Sequence, residues 1–173
     1  RASMYYGGKG LPMWAISAVD LALWDLLGVL RQEPVYKMIG GAVREEIELY
    51  CTGIRPDVAK EAGFIGGKMP LPYAPVDRHE GLKANVEYFQ EMRNKVGPDF
   101  WLMADCWMSL DVPYAVELAN ALREVDLYWM EEVLHPGDIE GHKLLKERVP
   151  WMRWTSGEHE YTRYGCRKMI ETR

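Results

Sequence analysis

Strand-like and helix-like segments alternate regularly along this chain after residue 46, and this alternation constrains its fold more than any other feature. Short apolar runs predict strands at 46–54, 63–71, 100–107, 127–133 and 152–159. Helical patterns are predicted at 77–96, 112–125, 138–148 and 161–172. Such alternation is typical of a parallel sheet covered by helices. A barrel and an open doubly wound sheet both satisfy it.

Three of the predicted strands carry an acidic residue near their carboxyl end. Asp105, Glu131 and Glu158 are spaced by 26 and 27 residues, about one strand-and-helix unit each. The carboxyl ends of parallel strands form one rim, where barrels build their active sites. We therefore expect the three carboxylates to converge. Glu132 is a rival of Glu131, because side chains alternate along a strand and alternation alone does not say which one faces the site.

Three carboxylates at one rim repel each other unless a cation lies between them. Ligands that are all oxygen, without cysteine or a histidine pair, favour a hard ion, and three of them leave positions for water and substrate, as Mg²⁺ prefers. The sequence therefore predicts a Mg²⁺ site. Taken singly, each acid could instead be a solvated loop residue or a helix cap.

Two further polar residues lie near the same rim. Lys68 follows "FIGG" on the second predicted strand. It can bind a substrate carboxylate, or act as a base whose pKa is lowered by desolvation and a nearby metal. His159 follows Glu158 and can hydrogen-bond a substrate. The alternatives are a surface lysine and a structural histidine.

Composition narrows the class of partner. The 173 residues are 48% apolar with a formal net charge of −5, which favours small metabolites or a cation over nucleic acid or an anionic membrane. We see no apolar run approaching the roughly 18 residues of a membrane span. The three cysteines suggest neither a disulfide scaffold nor a zinc finger, so we expect a cytoplasmic protein. The opening "RASMYYGGKG" lacks an initiator methionine, and we expect a longer parent chain.

Several stretches carry a family resemblance. A helical pattern from Pro12 to about Leu30 contains "AISAVDLALWDLLG", and "PVYKMIGG" follows it. These stretches resemble the mandelate racemase branch of the enolase superfamily, and the series of Asp, Glu and Glu on successive strands resembles its Mg²⁺ site. "GGKMPLPY", "FWLMADCWMSLD" and "TSGEH" are similar to sugar-acid dehydratases of that branch.

The resemblance implies an α/β fold, a (β/α)₇β TIM-like barrel. About its first five strands would lie in 46–173, after the end of an α+β capping domain and linking helices in 1–45. It implies Asp105, Glu131 and Glu158 as the Mg²⁺ ligands, and so favours Glu131 over Glu132. It further implies removal of a proton alpha to a carboxylate, an enediolate stabilised by Mg²⁺, and loss of a β-hydroxyl to give a 2-keto-3-deoxy acid. The implied partners are a sugar acid and further copies of the chain in a homo-oligomer.

The sequence also departs from the family pattern. Many relatives carry Lys-x-Lys after the second strand, whereas Lys68 is followed by Met69 and Pro70, so racemisation by the second lysine is disfavoured. The resemblance implies that the general base, a histidine paired with an aspartate, lies after residue 173. The alternatives are another acid-sugar dehydratase or an epimerase, or a non-catalytic binding or structural protein derived from the barrel.

Overall fold

The structure is a computed structural model that describes residue 5 and residues 7–171. The chain divides into two compact units. One consists of Arg1–Ile47 with Glu160–Arg167, and the other of Glu48–His159 with Lys168–Arg173.

The first unit contains helices α1 (Leu11–Arg31) and α2 (Val35–Met38). α1 agrees with the predicted helix to within one residue at each end. It ends at Gln32, which has a left-handed φ of 53°, and the next amide, that of Glu33, donates to the Gly28 carbonyl at 3.0 Å. A Cβ atom at Gly28 would lie 3.0 Å from the Glu33 carbonyl oxygen, so a glycine suits this tight helix end.

α1 corrects one sequence-based expectation. It is the one helix in the described part of the chain that is long and apolar enough to cross a membrane by length and composition, with a mean hydropathy of 1.6. Asp20 and Asp25 interrupt the apolar residues, so no long apolar run is seen in the sequence, whereas a helix of this length can include two charges. Core helices and signal sequences share these properties.

The second unit contains a parallel five-stranded sheet whose strands are ordered β1-β2-β3-β4-β5. The parallel sheet predicted from the alternation is therefore confirmed. A doubly wound sheet would reverse its strand order at a switch point, whereas this strictly sequential order is that of a barrel. The strands are β1 (Tyr50–Thr52), β2 (Gly66–Pro70), β3 (Trp101–Asp105), β4 (Met130–Glu131) and β5 (Trp154–Thr155).

A helix follows each strand. The helices are α3 (Pro56–Glu61), α4 (Arg78–Val96), α5 (Val112–Ala121), α6 (Ile139–Arg148) and α7 (Thr162–Glu171). Four of them were predicted, with boundaries within a few residues; the predicted end of the last one, residue 172, lies outside the described residues. The short helix α3 was missed. The predicted strands were too long, because buried apolar side chains such as Val133 and Leu134 continue into the loop after β4 has ended.

The apolar core lies between one face of the sheet and helices α4 to α6. Leu102, Ala104 and Met130 belong to this core with Phe89 and Leu118. Because side chains alternate along a strand, residues such as Asp105 and Glu131 face the other side.

Close packing explains one glycine of "FIGG", Gly67 on β2. A Cβ atom there would lie 2.6 Å from the Cβ of Pro56, the first residue of α3. A larger side chain would therefore push α3 away from the sheet.

Arg93 of α4 links several chain segments at the amino-terminal end of the sheet. Its guanidinium donates to the carbonyls of Gly97 and Phe100, both at 2.7 Å, of Val125 at 2.8 Å and of Asp126 at 2.9 Å. Phe100 and Asp126 lie just before β3 and β4. One buried cation thus joins the segments that lead into two adjacent strands.

Candidate metal centre at the carboxyl ends of the strands

The strand register brings the candidate residues to neighbouring positions at the carboxyl-terminal edge of the sheet. Asp105 pairs with Glu131 across β3 and β4, and Glu131 pairs with Thr155 of β5. On the other side of β3, Asp105 pairs with Pro70, two residues after Lys68. Residues two apart on a strand share a face, so Lys68 lies on the same face as both carboxylates.

Lys68 bridges two of the predicted metal ligands. Its Nζ lies 3.0 Å from Oδ2 of Asp105 and makes a shorter contact with Oε1 of Glu131. Lys68 and Glu131 are buried, and the side chain of Asp105 is 22% exposed. Two carboxylates therefore converge on one cation, so acidic groups outnumber the basic group in this cluster.

The charge state of Lys68 differs from one expectation of the sequence analysis. Burial lowers the pKa of Lys68, but its hydrogen bonds with Glu131 and Asp105 outweigh this and raise that pKa to about 12. In this arrangement Lys68 is a firmly protonated ammonium. Between its two carboxylate partners the pKa of Lys68 is thus raised and not lowered, and its role as a base beside a bound metal stays a prediction.

A second donor fixes Glu131. Nε1 of Trp129 donates to Oε2 of Glu131 at 3.0 Å, so each carboxylate oxygen has its own partner. Trp129 itself packs edge-on against Tyr50 of β1, with ring centroids 5.4 Å apart. The orientation of the Glu131 carboxylate is thus set by packed neighbours before any ligand binds.

Glu132, the rival of Glu131, has a separate set of partners. It is completely buried and has a φ of 48°, which turns the chain away from β4. Its carboxylate accepts from Ser156 Oγ at 2.7 Å, from the Gly157 amide at 2.9 Å and from His159 Nδ1 at 3.1 Å. Burial raises the pKa of Glu132, but these hydrogen bonds outweigh it and hold the pKa below its usual value.

Glu158 stands apart from the other two predicted ligands. Its side chain is half exposed, and its carboxylate lies 3.9 Å from Nδ1 of His159. Within the part of the chain that the structure describes, no three His, Cys, Asp or Glu side chains are grouped so that they could hold a metal ion. The structure therefore brings Asp105 and Glu131 together with Lys68, and leaves Glu158 on the adjacent loop. His159, predicted to bind substrate, contacts Glu132.

The chemistry of the donor set fits a hard divalent cation. The carboxylate oxygens of Asp105 and Glu131 lie close together around the ammonium of Lys68. Glu158 offers a third carboxylate on the loop that follows β5. Oxygen ligands of this kind suit Mg²⁺.

Sequence reasoning missed two contacts at this rim. Trp129 was not predicted to contact a carboxylate, yet its indole N–H donates to Glu131. Its spacing of two from Glu131 on a strand was a usable signal, because such residues share a face. Ser156 was not considered; the Ser-Gly pair inside the last predicted strand, directly after the observed β5, was the available signal for a turn that binds a carboxylate.

Comparison with known proteins agrees with this architecture. Residues 54–173 match the family described as Enolase C-terminal domain-like, and residues 2–40 match the Mandelate racemase / muconate lactonizing enzyme, N-terminal domain. L-rhamnonate dehydratase from Saccharopolyspora erythraea is 59% identical over 172 residues, which cover 99% of this chain and 44% of that protein.

Two solved structures are similar over almost the whole chain. Rhamnonate dehydratase from Gibberella zeae complexed with Mg has a TM-score of 0.97 and 55% identity, covering 100% of this chain and 43% of its own. The 3,6-anhydro-D-galactonate cycloisomerase from Zobellia galactanivorans has a TM-score of 0.90 and 32% identity, covering 99% of this chain and 49% of its own. The chain thus spans less than half the length of each of these relatives.

These matches confirm the resemblance drawn from the sequence motifs and the predicted fold class. The N-terminal match includes α1, so that helix lies in the region of the family's N-terminal domain. The C-terminal match includes β2 to β5 and the rim that carries Lys68, Asp105 and Glu131. The chain belongs to the mandelate racemase / muconate lactonizing enzyme family of the enolase superfamily.

Proposed function

We propose that the protein is a Mg²⁺-dependent dehydratase that converts an aldonic acid resembling L-rhamnonate into a 2-keto-3-deoxy acid. The observation that carries the proposal is the convergence of Asp105 and Glu131 on one buried cation at the carboxyl ends of adjacent strands. The 59% identity to an L-rhamnonate dehydratase supports the choice of substrate class.

In this proposal Asp105, Glu131 and Glu158 are the metal ligands. Asp105 and Glu131 are held in place before binding, since both contact Lys68 and Glu131 also accepts from Trp129. Glu158 would join them from the loop after β5. When bound, Mg²⁺ supplies positive charge that favours the build-up of negative charge on the substrate carboxylate.

The reaction removes the elements of water from adjacent carbons. The C–H bond alpha to the carboxylate breaks first, and its electron pair passes into the carboxylate to give an enediolate. The C–O bond of the β-hydroxyl then breaks, hydroxide leaves with a proton as water, and the resulting enol tautomerises to the 2-keto acid. The difficult step is the first, because it places a second negative charge beside a carboxylate.

Lys68 suits the role of a fixed positive charge. Its two carboxylate partners favour the protonated form, so it can bind the substrate carboxylate and stabilise added negative charge without removing the proton. Pro70 occupies the position level with Asp105 where many relatives carry a second lysine, which disfavours a lysine-based racemisation or epimerisation.

His159 is proposed to contact the substrate. Its Nδ1 faces Glu132, its ring is partly exposed, and its Nε2 is directed away from that carboxylate. We assign removal of the alpha proton to residues beyond this sequence, in the part of the relatives that the chain does not cover.

The test is a screen of the full-length protein against a panel of aldonic acids, with detection of 2-keto-3-deoxy acids. We expect turnover of L-rhamnonate or a close stereoisomer with Mg²⁺, loss of turnover in EDTA, and recovery when Mg²⁺ is restored. Glu131→Gln should abolish turnover, whereas Glu147→Gln, an exposed carboxylate on α6, should not. Full turnover in EDTA, or racemised substrate as the only product, would refute the proposal.

A further inference from the structure

Glu132 is a completely buried carboxylate for which the proposed function has no use. It follows Glu131 directly, but within the described residues its carboxylate forms no hydrogen bond or ion pair with Lys68 or Asp105. Burying a carboxylate without partners is costly, so its position must be explained by the donors around it.

All three donors come from one four-residue segment, Ser156 to His159. Oε1 of Glu132 accepts from the Ser156 hydroxyl and the Gly157 amide, and Oε2 lies 3.1 Å from Nδ1 of His159. Glu158, the remaining proposed metal ligand, lies inside this segment, and its carboxylate is near His159 at 3.9 Å. Glu132 therefore holds the residues on both sides of Glu158.

The contact with His159 also selects one form of its ring. An ionised carboxylate can only accept hydrogen bonds, so Nδ1 of His159 must carry the proton that points to Glu132. The other ring nitrogen, Nε2, is then left for an external group. A carboxylate that orients a histidine in this way is a common outer partner of metal and active sites.

The backbone of the segment depends on this anchor. Gly157 has a φ of 132°, a conformation that L-residues rarely adopt, and a Cβ atom there would meet no atom within 4 Å. The glycine therefore suits the backbone conformation of this turn and is not explained by close packing, and its amide donates to Glu132. Without Glu132 the turn would lose its amide, hydroxyl and imidazole contacts together.

We propose that Glu132 is a positioning residue that fixes the Ser156–His159 segment and thereby aims Glu158 at the metal and Nε2 of His159 at the substrate. This inference rests on the proposed function for its metal and its substrate. Its evidence is separate, because it comes from the hydrogen bonds of Glu132 and not from the Lys68 cluster.

The test is calorimetric titration of Mg²⁺ into the full-length Glu132→Gln protein, in the absence of any sugar acid. The amide keeps the shape of the side chain but presents N–H groups to donors, and we expect Mg²⁺ affinity to fall by about 10- to 100-fold. Glu147→Gln is the matched control and should bind like the wild type. The melting temperature in EDTA is recorded in parallel, since a purely structural role would lower it without changing Mg²⁺ affinity below the transition.

A second variant covers the case in which Glu132→Gln does not fold. Ser156→Ala removes a single hydrogen bond and leaves Glu132 with its Gly157 and His159 partners, so Mg²⁺ affinity should fall by about 2- to 10-fold. Adding Ser156→Ala to a folded Glu132→Gln protein should cause no further loss of Mg²⁺ affinity, because Ser156 acts through Glu132.

The outcomes separate this inference from the proposed function. If the wild type binds Mg²⁺ and the Glu132→Gln and Ser156→Ala proteins bind it equally well, the positioning role is wrong. If Glu132→Gln weakens Mg²⁺ binding but no aldonic acid is dehydrated, the positioning role stands and the proposed reaction is wrong. A wild type that does not bind Mg²⁺ would overturn both.

Discussion

The two ends of the sheet handle buried positive charge in different ways. At the amino-terminal end, Arg93 donates to backbone carbonyls, which are neutral and belong to segments that lead into β3 and β4. At the carboxyl-terminal end, Lys68 is paired with the carboxylates of Asp105 and Glu131. The first arrangement joins neighbouring chain segments, whereas the second places excess negative charge around a cation.

This difference separates stability from binding. The carbonyls around Arg93 cannot titrate or move without disturbing the strands, so that end has a single arrangement. The carboxylates around Lys68 outnumber it and can accept a second cation, as a metal site requires. In barrels generally, the carboxyl-terminal rim carries the chemistry and the opposite rim contributes stability.

The largest expected effect is at the amino-terminal end. Arg93→Met should lower the free energy of unfolding by about 3 kcal/mol or more, because several carbonyls lose a charged donor together. Urea denaturation of the full-length protein in EDTA measures this, with Arg148→Met on the exposed side of α6 as the control. Mg²⁺ affinity of the folded fraction should stay unchanged. If the Arg93→Met protein had normal stability but bound Mg²⁺ poorly, the assignment of stability to the amino-terminal end of the sheet would be wrong.

The next effect is at the carboxyl-terminal end and depends on metal. Lys68→Met should lower the free energy of unfolding by about 2 kcal/mol in EDTA, since two adjacent carboxylates lose their cation. Mg²⁺ should then stabilise this variant more than it stabilises the wild type, because the metal replaces the missing positive charge. Parallel denaturation with and without Mg²⁺ tests the difference.

The control for that experiment is Lys83→Met. Lys83 makes an exposed pair with Glu87 at 3.8 Å, and its loss should change stability by less than about 0.5 kcal/mol. Equal stabilisation of the Lys68→Met protein and the wild type by Mg²⁺ would mean that the cluster is an ordinary ion pair.

Glu131→Gln should affect binding far more than folding. In EDTA its free energy of unfolding should change by about 1 kcal/mol or less, because the amide oxygen can still accept from Lys68 or Trp129. Mg²⁺ affinity should fall by more than about 100-fold, beyond the loss expected for Glu132→Gln. Calorimetry on both variants decides the order, and the assignment of ligands fails if Glu132→Gln loses binding while Glu131→Gln keeps it.

The smallest effect concerns two tryptophans on neighbouring strands. Nε1 of Trp154 is buried and has no hydrogen-bond partner among the residues described, so Trp154→Phe should change stability by about 0.5 kcal/mol or less through loss of this group. Trp129→Phe removes the donor to Glu131 and should cost about 1 kcal/mol. Thermal denaturation of the two variants shows whether the indole N–H of Trp129 contributes more to stability than that of Trp154.

The sequence predicts much of this architecture because strand and helix periodicities are local properties. The parallel sheet, α1, α4 and α6 follow from them, and the spacing of Asp105 and Glu131 predicts that these residues pair. Strand lengths were overestimated, since burial continues beyond the hydrogen-bonded residues. The partners of Lys68 were not predictable in the same way, because Glu131 lies 63 residues away in sequence.

The separation of Glu131 from Glu132 was likewise beyond the sequence. Alternation says only that the two side chains diverge. The partner set of Glu132 depends on its positive φ and on a loop 24 to 27 residues further along the chain. That information is tertiary and has no local pattern.

Two identical side chains that follow each other at the end of β4 make the site sensitive to the register of that strand. A shift of β4 by one residue against β3 would bring Glu132 to the position of Glu131, with no change in composition or net charge. The shifted chain would still present a carboxylate beside Asp105, but the indole at position 129 and the donors of Ser156 and Gly157 would no longer meet their acceptors. The register of β4 against β3 therefore matters to the site in a way that no single substitution would reveal.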